Sequence, residues 1–310
     1  MKKILPICES PQCLDLHTSA FPLSILNADS RFSERWLIQN LIPIEYAKRY
    51  GNVLTYDLPL FWFWKCFNFK ISLHYPGKDV IKTICKRIEQ GYYVFLCVNE
   101  KYIPERAAYQ LYNFKHEILI YGFCDEDQTF YTIAYNRHQD YMPQRIPMNV
   151  LYKAFIRNRI EHFFKFYPLK VVESYHFDAF DVHQIKRDID QYLNPKQDNK
   201  GYKAFEKLKR NVLQGGEMKN DIDLRSFRTL RDRSQIFLLI QKYFQVSSEF
   251  NQLLYDNLQL CRNTFGIVIK YNMTKDNVLF QRINENLNAI SQMEIKILIQ
   301  LKDADRKSVV

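Results

Sequence analysis

Strand-like segments are confined to the first part of this chain, and this asymmetry limits its fold more than any other feature. Continuous apolar or alternating runs, typical of buried strands, occur at residues 92–99, 116–123 and 129–135. From about residue 181 onward the pattern changes to helical spacing, interrupted by short polar breaks. The sequence therefore predicts an α+β first domain with an antiparallel sheet at residues 1–178, and an all-helical bundle domain at residues 179–310.

Apolar periodicity also predicts the individual elements of both domains. In the first domain, helices are predicted at 14–26 with a kink at Pro22, at 32–50, at 78–89 and at 147–159, and further strands within 52–70 and at 164–172. In the second domain, helices are predicted at 182–193, 202–213, 224–244, 247–265 and 277–301, followed by a frayed tail at 303–310.

Composition excludes several classes of protein. Hydrophobic residues make up 47% of the chain and charged residues 25%, which is typical of a globular protein. Glycine is scarce, with 8 residues, and neither glycine-rich phosphate-binding motif occurs. No cofactor is therefore predicted.

The cysteine pattern and the short apolar runs predict a reduced, cytoplasmic protein. The seven cysteines are irregularly spaced and form no C-x-x-C pair, so neither a metal site nor a disulfide framework is predicted. The longest apolar run, Leu58 to Trp64, is too short to span a bilayer. The N-terminal segment has too few apolar residues for a signal peptide.

The formal net charge of +10 predicts an acidic partner. Nucleic acid, an anionic membrane surface and an acidic carrier protein all fit this charge. The chain shows no helix-turn-helix, RNP-like or zinc-module pattern, so nucleic acid is disfavoured as a partner, and no membrane association is predicted.

The residues also allow a cysteine–histidine site. A thiol is activated best at a helix N-terminus, where Cys13 is predicted to lie, and Cys8 is its rival. His116 opens a strand that could hold a general base, and Asn136 ends the next strand, where it could orient the imidazole. His17 follows Cys13 on the predicted helix, as a local partner of the thiol or a polar surface residue. The structural alternatives are a buried apolar Cys13, a structural His116 and a turn-forming Asn136.

Residues 91–155 resemble the N-terminal domain of the butirosin biosynthesis protein H (BtrH) family. The resemblance depends on the strand YYVFLCVNE, the segment Tyr102-Ile103-Pro104, His116 in FKHEILIYGF and Asp125 in the following turn. The strand FYTIAYN and the helix IPMNVLYKAF complete it. Residues 13–26 resemble the nucleophile helix of that family, so that the likeness extends over roughly the first 170 residues.

The resemblance implies a papain-like, cysteine-peptidase-like fold with Cys13, His116 and Asn136 as its catalytic residues. It further implies acyl transfer from a carrier-protein thioester to an amine acceptor in natural-product or nonribosomal-peptide biosynthesis, with an acidic acyl or peptidyl carrier protein as partner and a small molecule or peptide as substrate. The alternatives are a thioesterase or cysteine peptidase, and a non-catalytic binding or assembly module. In the family an Asp is often found near the end of the second strand, where this chain has Tyr135-Asn136.

Overall fold

The computed structural model describes residues 1–57, 65–69, 79–157, 166–177 and 181–304. The apolar run 58–64, the predicted domain boundary at 178 and the tail residues 305–310 lie outside the described residues. So do the last residues of the predicted helix 147–159 and the first two of the predicted strand 164–172.

The described elements include both strands and helices up to residue 171, and the described elements after it are helices. In chain order they are β1 (Lys2–Ile4), α1 (His17–Leu26), α2 (Arg35–Asn40), β2 (Ile44–Ala47), β3 (Val53–Tyr56), β4 (Phe67–Phe69), α3 (Val80–Glu89), β5 (Tyr93–Asn99), β6 (Lys115–Cys124), β7 (Thr129–Tyr135), β8 (Tyr141–Pro147), α4 (Met148–Ile156), β9 (Phe166–Val171), α5 (Val182–Leu193), α6 (Gly201–Glu217), α7 (Leu224–Leu238), α8 (Ile240–Tyr243), α9 (Ser248–Thr274) and α10 (Asn277–Asp303). The predicted α+β region followed by a helical region is confirmed.

The chain forms two compact units, and neither is continuous in sequence. Unit 1 contains Met1–Pro11, His17–Ser30 and Leu60–Tyr175. Unit 2 contains Gln12–Leu16, Arg31–Pro59 and His176–Val310. Two N-terminal segments thus belong with the C-terminal helices, whereas the sequence analysis draws a single boundary at residue 178.

An antiparallel sheet forms the centre of unit 1. Its strands run in the order β4-β9-β5-β6-β7-β8, and β1 pairs with the end of β6. The inner strand β5 is buried along nearly its whole length, which explains its continuous apolar run. A β-bulge interrupts the β6–β7 register between Ile120 and Gly122, where a Cβ on Gly122 would lie 2.9 Å from the Lys3 carbonyl oxygen.

Strands β1 and β8 are two elements that the sequence analysis does not predict. β8 lies at one end of the strand order and reads YMPQRIP. Its two prolines can donate no hydrogen bonds, a condition that sheets tolerate at an edge, and they hide the strand pattern. β1 has three exposed residues, too few to show a period.

Helix α1 packs on the sheet through aromatic contacts. The Phe21 ring lies 5.4 Å, centroid to centroid, from that of Phe95 on β5. The helix begins at His17 rather than near Cys13 and contains Pro22. Because Leu14 N donates to Asp232 at 2.6 Å, the segment before the helix is held in unit 2.

The predicted helix 32–50 is wrong for most of its length. Arg35–Asn40 is the only α-helical part of this range in the structure, and the chain then forms the antiparallel hairpin β2–β3, whose connection contains the 3-10 turn Lys48–Tyr50. Pro43 ends the helical pattern, and Gly51 with φ +86° and Asn52 with φ +63° close the hairpin turn. Ile44 and Tyr46 have the period-two spacing of a strand, and in the structure they pair with Tyr56 and Leu54 of β3.

Four helices of unit 2 begin at side-chain caps, and apolar helix faces form the core of this unit. The caps are Asp181 for α5, Asp223 for α7, Ser247 for α9 and Asp276 for α10. The long helices α9 and α10 pack together, and α7 packs against both α9 and β3. None of the described helices is both long and apolar enough to cross a bilayer.

Candidate functional site

His116 is held by a buried carboxylate. It is the second residue of β6, opposite Val98 of β5. Its Nδ1 lies 2.8 Å from Oε1 of Glu100, and its side chain is 24% exposed. A carboxylate at this distance fixes the orientation of the imidazole, which is the role that the sequence analysis assigns to Asn136.

Strand pairing places Glu100 beside His116. Glu100 directly follows β5, and its backbone N–H donates to the carbonyl oxygen of Phe114 at 2.8 Å. Asn99 pairs with Lys115, so the antiparallel register puts Glu100 next to the first residues of β6. The Glu100 side chain is 5% exposed, which keeps the carboxylate away from bulk water.

Arg106 provides a buried positive charge next to Glu100. Its Nη1 lies 3.8 Å from Glu100 Oε1 and donates to the carbonyl oxygen of Tyr135. Burial lowers the pKa of the guanidinium to about 10, and the Glu100 charge opposes that shift. Arg106 therefore balances the carboxylate that holds His116.

His17 brings a second imidazole to the same place. The rings of His17 and His116 lie 4.8 Å apart, centroid to centroid, at an angle of 85°. Nε2 of His17 lies 3.0 Å from Oε2 of Glu117, and the two side chains are 15% and 10% exposed. We refer to His17, Glu100, Arg106, His116 and Glu117 as the His17–His116 cluster; all five belong to unit 1.

The alternation of β6 does not separate His116 from Glu117. Neighbouring residues of a strand ordinarily point to opposite faces of the sheet. In the structure, both bring a potential ligand atom within 4.8 Å of one on His17. They lie at the beginning of β6, beside the first turn of α1, where two long side chains can both reach His17.

Cys13 lies in a closed polar cluster of unit 2. Its side chain is 0% exposed. Burial raises the pKa of the thiol well above its usual range, and the charges of Asp15 and Asp232 raise it further. Tyr56 is also fully buried there. We refer to Cys13, Asp15, Tyr56 and Asp232 as the Cys13 cluster; its surroundings disfavour the thiolate, which is the nucleophilic form of a cysteine.

Asn136 and Cys8 also have structural partners. Oδ1 of Asn136 accepts hydrogen bonds from the backbone N–H of His138 at 2.8 Å and of Asp140 at 2.9 Å, which shapes the β7–β8 turn. The backbone N–H of Cys8 donates to the carbonyl oxygen of Ser24, in the last turn of α1. The three predicted catalytic residues thus have separate surroundings, and the described contacts of the His116 side chain include Glu100, His17 and the ring of Phe114.

Three members of the His17–His116 cluster stand out in the sequence, but the sequence analysis does not combine them into one site. Glu100 is the acidic residue that ends the YYVFLCVNE strand. Glu117 is the polar residue next to His116. His17 was considered only as a neighbour of Cys13, because its contact with β6 depends on how α1 packs on the sheet.

The cluster contains two carboxylate–histidine pairs, His17–Glu117 and His116–Glu100, and the two imidazole rings are in contact. Each carboxylate can orient an imidazole, so the cluster could exchange protons with a bound group or hold a metal ion. No protein-family model matches this chain, and a search of curated proteins finds no significant match. The geometry of the cluster and the charge of the chain are therefore the basis for a functional proposal.

Proposed function

We propose that this chain is a binding or assembly module on a papain-like scaffold, and that it does not use a cysteine nucleophile. One observation carries the proposal: the side chain that α1 places against the His116 ring is His17, at a centroid distance of 4.8 Å. A cysteine enzyme needs a thiol within hydrogen-bond reach of its general base.

The environment of Cys13 supports the same proposal. A nucleophilic cysteine needs access to substrate and a lowered thiol pKa. The Cys13 thiol is buried, and its pKa is raised by desolvation and by two neighbouring carboxylates. Acyl transfer through Cys13 remains a prediction from the sequence, and it requires a rearrangement that exposes this thiol.

We further propose an acidic protein as the partner of the module. The chain carries a formal net charge of +10, and an acidic carrier protein would associate with it faster and more tightly at low salt. None of the seven cysteines, all of which lie in the described part of the chain, forms a disulfide, which fits a reducing compartment such as the cytoplasm.

Thiol labelling tests the absence of a cysteine nucleophile. The folded chain is treated briefly with iodoacetamide at pH 7, and intact mass is measured for wild type, Cys13→Ala, Cys8→Ala and His116→Ala. We expect slow labelling of Cys13 and a rate that changes less than about twofold in His116→Ala. Circular dichroism checks that each variant is folded.

The opposite result would restore the catalytic hypothesis. Fast single labelling that disappears in Cys13→Ala and slows markedly in His116→Ala would show a working thiol–imidazole pair. Fast labelling lost only in Cys8→Ala would move the nucleophile to Cys8. Either outcome would overturn the proposed non-catalytic module.

A further inference from the structure

We propose that His17, His116 and Glu117 bind one divalent transition-metal ion, with zinc as the first candidate. Across the described part of the chain, they are the one group of three histidine, cysteine or acidic residues whose potential ligand atoms all lie within 4.8 Å of one another. This inference goes beyond the proposed function and does not depend on any cysteine.

The spacing of the ligand atoms suits a single ion. Zinc lies about 2.0–2.1 Å from imidazole nitrogen and carboxylate oxygen, so two tetrahedral ligands are about 3.3 Å apart. Nε2 of His17 and Oε2 of Glu117 are already 3.0 Å apart. The candidate ligand atoms of all three residues lie within 4.8 Å of one another, so a shift of the His116 side chain by at most about 1.5 Å brings them to the spacing of about 3.3 Å that zinc needs.

Glu100 prepares His116 for a metal. Metal-bound histidines commonly donate their other ring N–H to a carboxylate, which fixes the tautomer and the ring orientation. Here Nδ1 faces Oε1 of Glu100 at 2.8 Å, so Nε2 is the nitrogen that remains for an ion. The buried Arg106 lies on the same oxygen, with Nη1 at 3.8 Å from Glu100 Oε1, and helps to hold this carboxylate in place beneath His116.

The donor set selects the class of metal. Two imidazoles and one carboxylate suit zinc and its neighbours among the transition metals, whereas magnesium and calcium prefer oxygen ligands only. Three protein ligands leave a fourth position open. The partial exposure of His17 and His116, 15% and 24%, lets an ion enter and lets water or a partner's oxygen atom take that position.

The sequence alone does not point to this site. His17 lies about a hundred residues before His116, and no short spacing links them. The site depends on the packing of the first turn of α1 against the beginning of β6. Without an ion, His17 contacts Glu117 and His116 contacts Glu100 as two carboxylate–imidazole pairs, and the experiment below separates the metal-bound state from the metal-free state.

Zinc titration of the metal-free full chain tests the proposal. The chain is treated with a chelator, then titrated with zinc against a chromophoric competitor, and cobalt is used in parallel because its visible absorption reports the ligand set. We expect one ion per chain. We expect His17→Gln, His116→Gln and Glu117→Gln each to weaken binding at least about 100-fold, and Glu100→Gln to weaken it about 10- to 100-fold.

His138→Gln is the matched control, since His138 is exposed in the β7–β8 turn and outside the cluster. It should bind zinc like wild type. Circular dichroism confirms that each variant is folded before titration. Absence of stoichiometric binding by wild type would overturn the proposal, as would binding that is unchanged in all three ligand variants or lost equally in His138→Gln.

Discussion

The two units each bury a polar cluster, and the clusters differ in access to solvent. In the Cys13 cluster, Cys13 is fully buried, and Asp15 and Asp232 are 2% exposed. In the His17–His116 cluster, both imidazoles are partly exposed, and the buried charges of Glu100 and Arg106 lie beneath His116. Reactive residue types therefore do not identify a site by themselves. The arrangement that can meet a ligand has its reactive atoms at the surface and its supporting charges in the interior.

The largest effect on stability is expected at the buried ion pair of unit 2, which tests whether water is excluded from this unit. Arg233 Nε donates to Glu294 Oε1 at 2.8 Å, and both side chains are nearly fully buried. We expect Arg233→Ala to lower the free energy of unfolding by about 3–5 kcal/mol, because it leaves the Glu294 carboxylate buried without its partner. Urea denaturation measures the change.

Two further variants sharpen that prediction. Replacing both partners, with Arg233→Met and Glu294→Leu, should recover most of the loss because no unpaired charge remains. Lys242→Ala removes an exposed ion pair with Glu34 and should change stability little. A small effect of Arg233→Ala would mean that water reaches this part of unit 2, and the contrast with the His17–His116 cluster would fail.

The raised pKa of Asp232 predicts that the stability of unit 2 depends on pH. Burial raises the pKa of this carboxyl to about 6, although Arg231 and the N–H of Leu14 oppose the shift. The folded state therefore keeps a proton that the unfolded state releases above its ordinary pKa of about 3.9. Raising the pH from 4 to 7 should cost wild type roughly 2–3 kcal/mol of unfolding free energy through this group.

Asp232→Asn isolates this contribution. The amide cannot ionise and still offers an oxygen to Leu14 N–H, so the variant should lose less stability than wild type between pH 4 and pH 7. Urea denaturation at both pH values gives the difference. Equal losses in the two proteins would show that Asp232 is already ionised in the folded state, and that the Cys13 cluster is more hydrated than its burial indicates.

The smallest expected effect concerns Asn136. Its Oδ1 accepts two backbone hydrogen bonds in the β7–β8 turn, so Asn136→Ala should cost about 1–2 kcal/mol of unfolding free energy. Asn136→Asp keeps an acceptor oxygen and should cost less. The NMR titration curve of the His116 ring should be the same in both variants as in wild type. A displaced curve would instead assign Asn136 to the orientation of His116.

Elements with a clear apolar pattern in their own sequence could be predicted. Elements that depend on pairing with another segment could not. The buried strands β5 to β7 and the helices of unit 2 have long apolar periods, and the sequence analysis identifies them. β2 lies in a segment whose apolar spacing also fits a helix, so its pairing with β3 decides the structure. β8 has two prolines and few apolar residues, which conceals an edge strand.

The candidate site shows the same limit. His116 was identifiable because it opens a strand with a clear pattern. Its neighbours were not, because Glu100 reaches it through the β5–β6 register and His17 through the packing of α1. Cys13 was assigned to a helix N-terminus from residue types alone, whereas α1 begins at His17 and the chain before it is held by Asp232.

The discontinuous units have a consequence for the order in which the chain can fold during synthesis. Unit 1 is complete once residue 175 has left the ribosome, so its sheet can form early. The segments 12–16 and 31–59 of unit 2 must wait for the helices that begin after residue 176. Until then the hairpin β2–β3 and the apolar residues around Cys13 have no core to enter. This makes them the part of the nascent chain that most needs a chaperone.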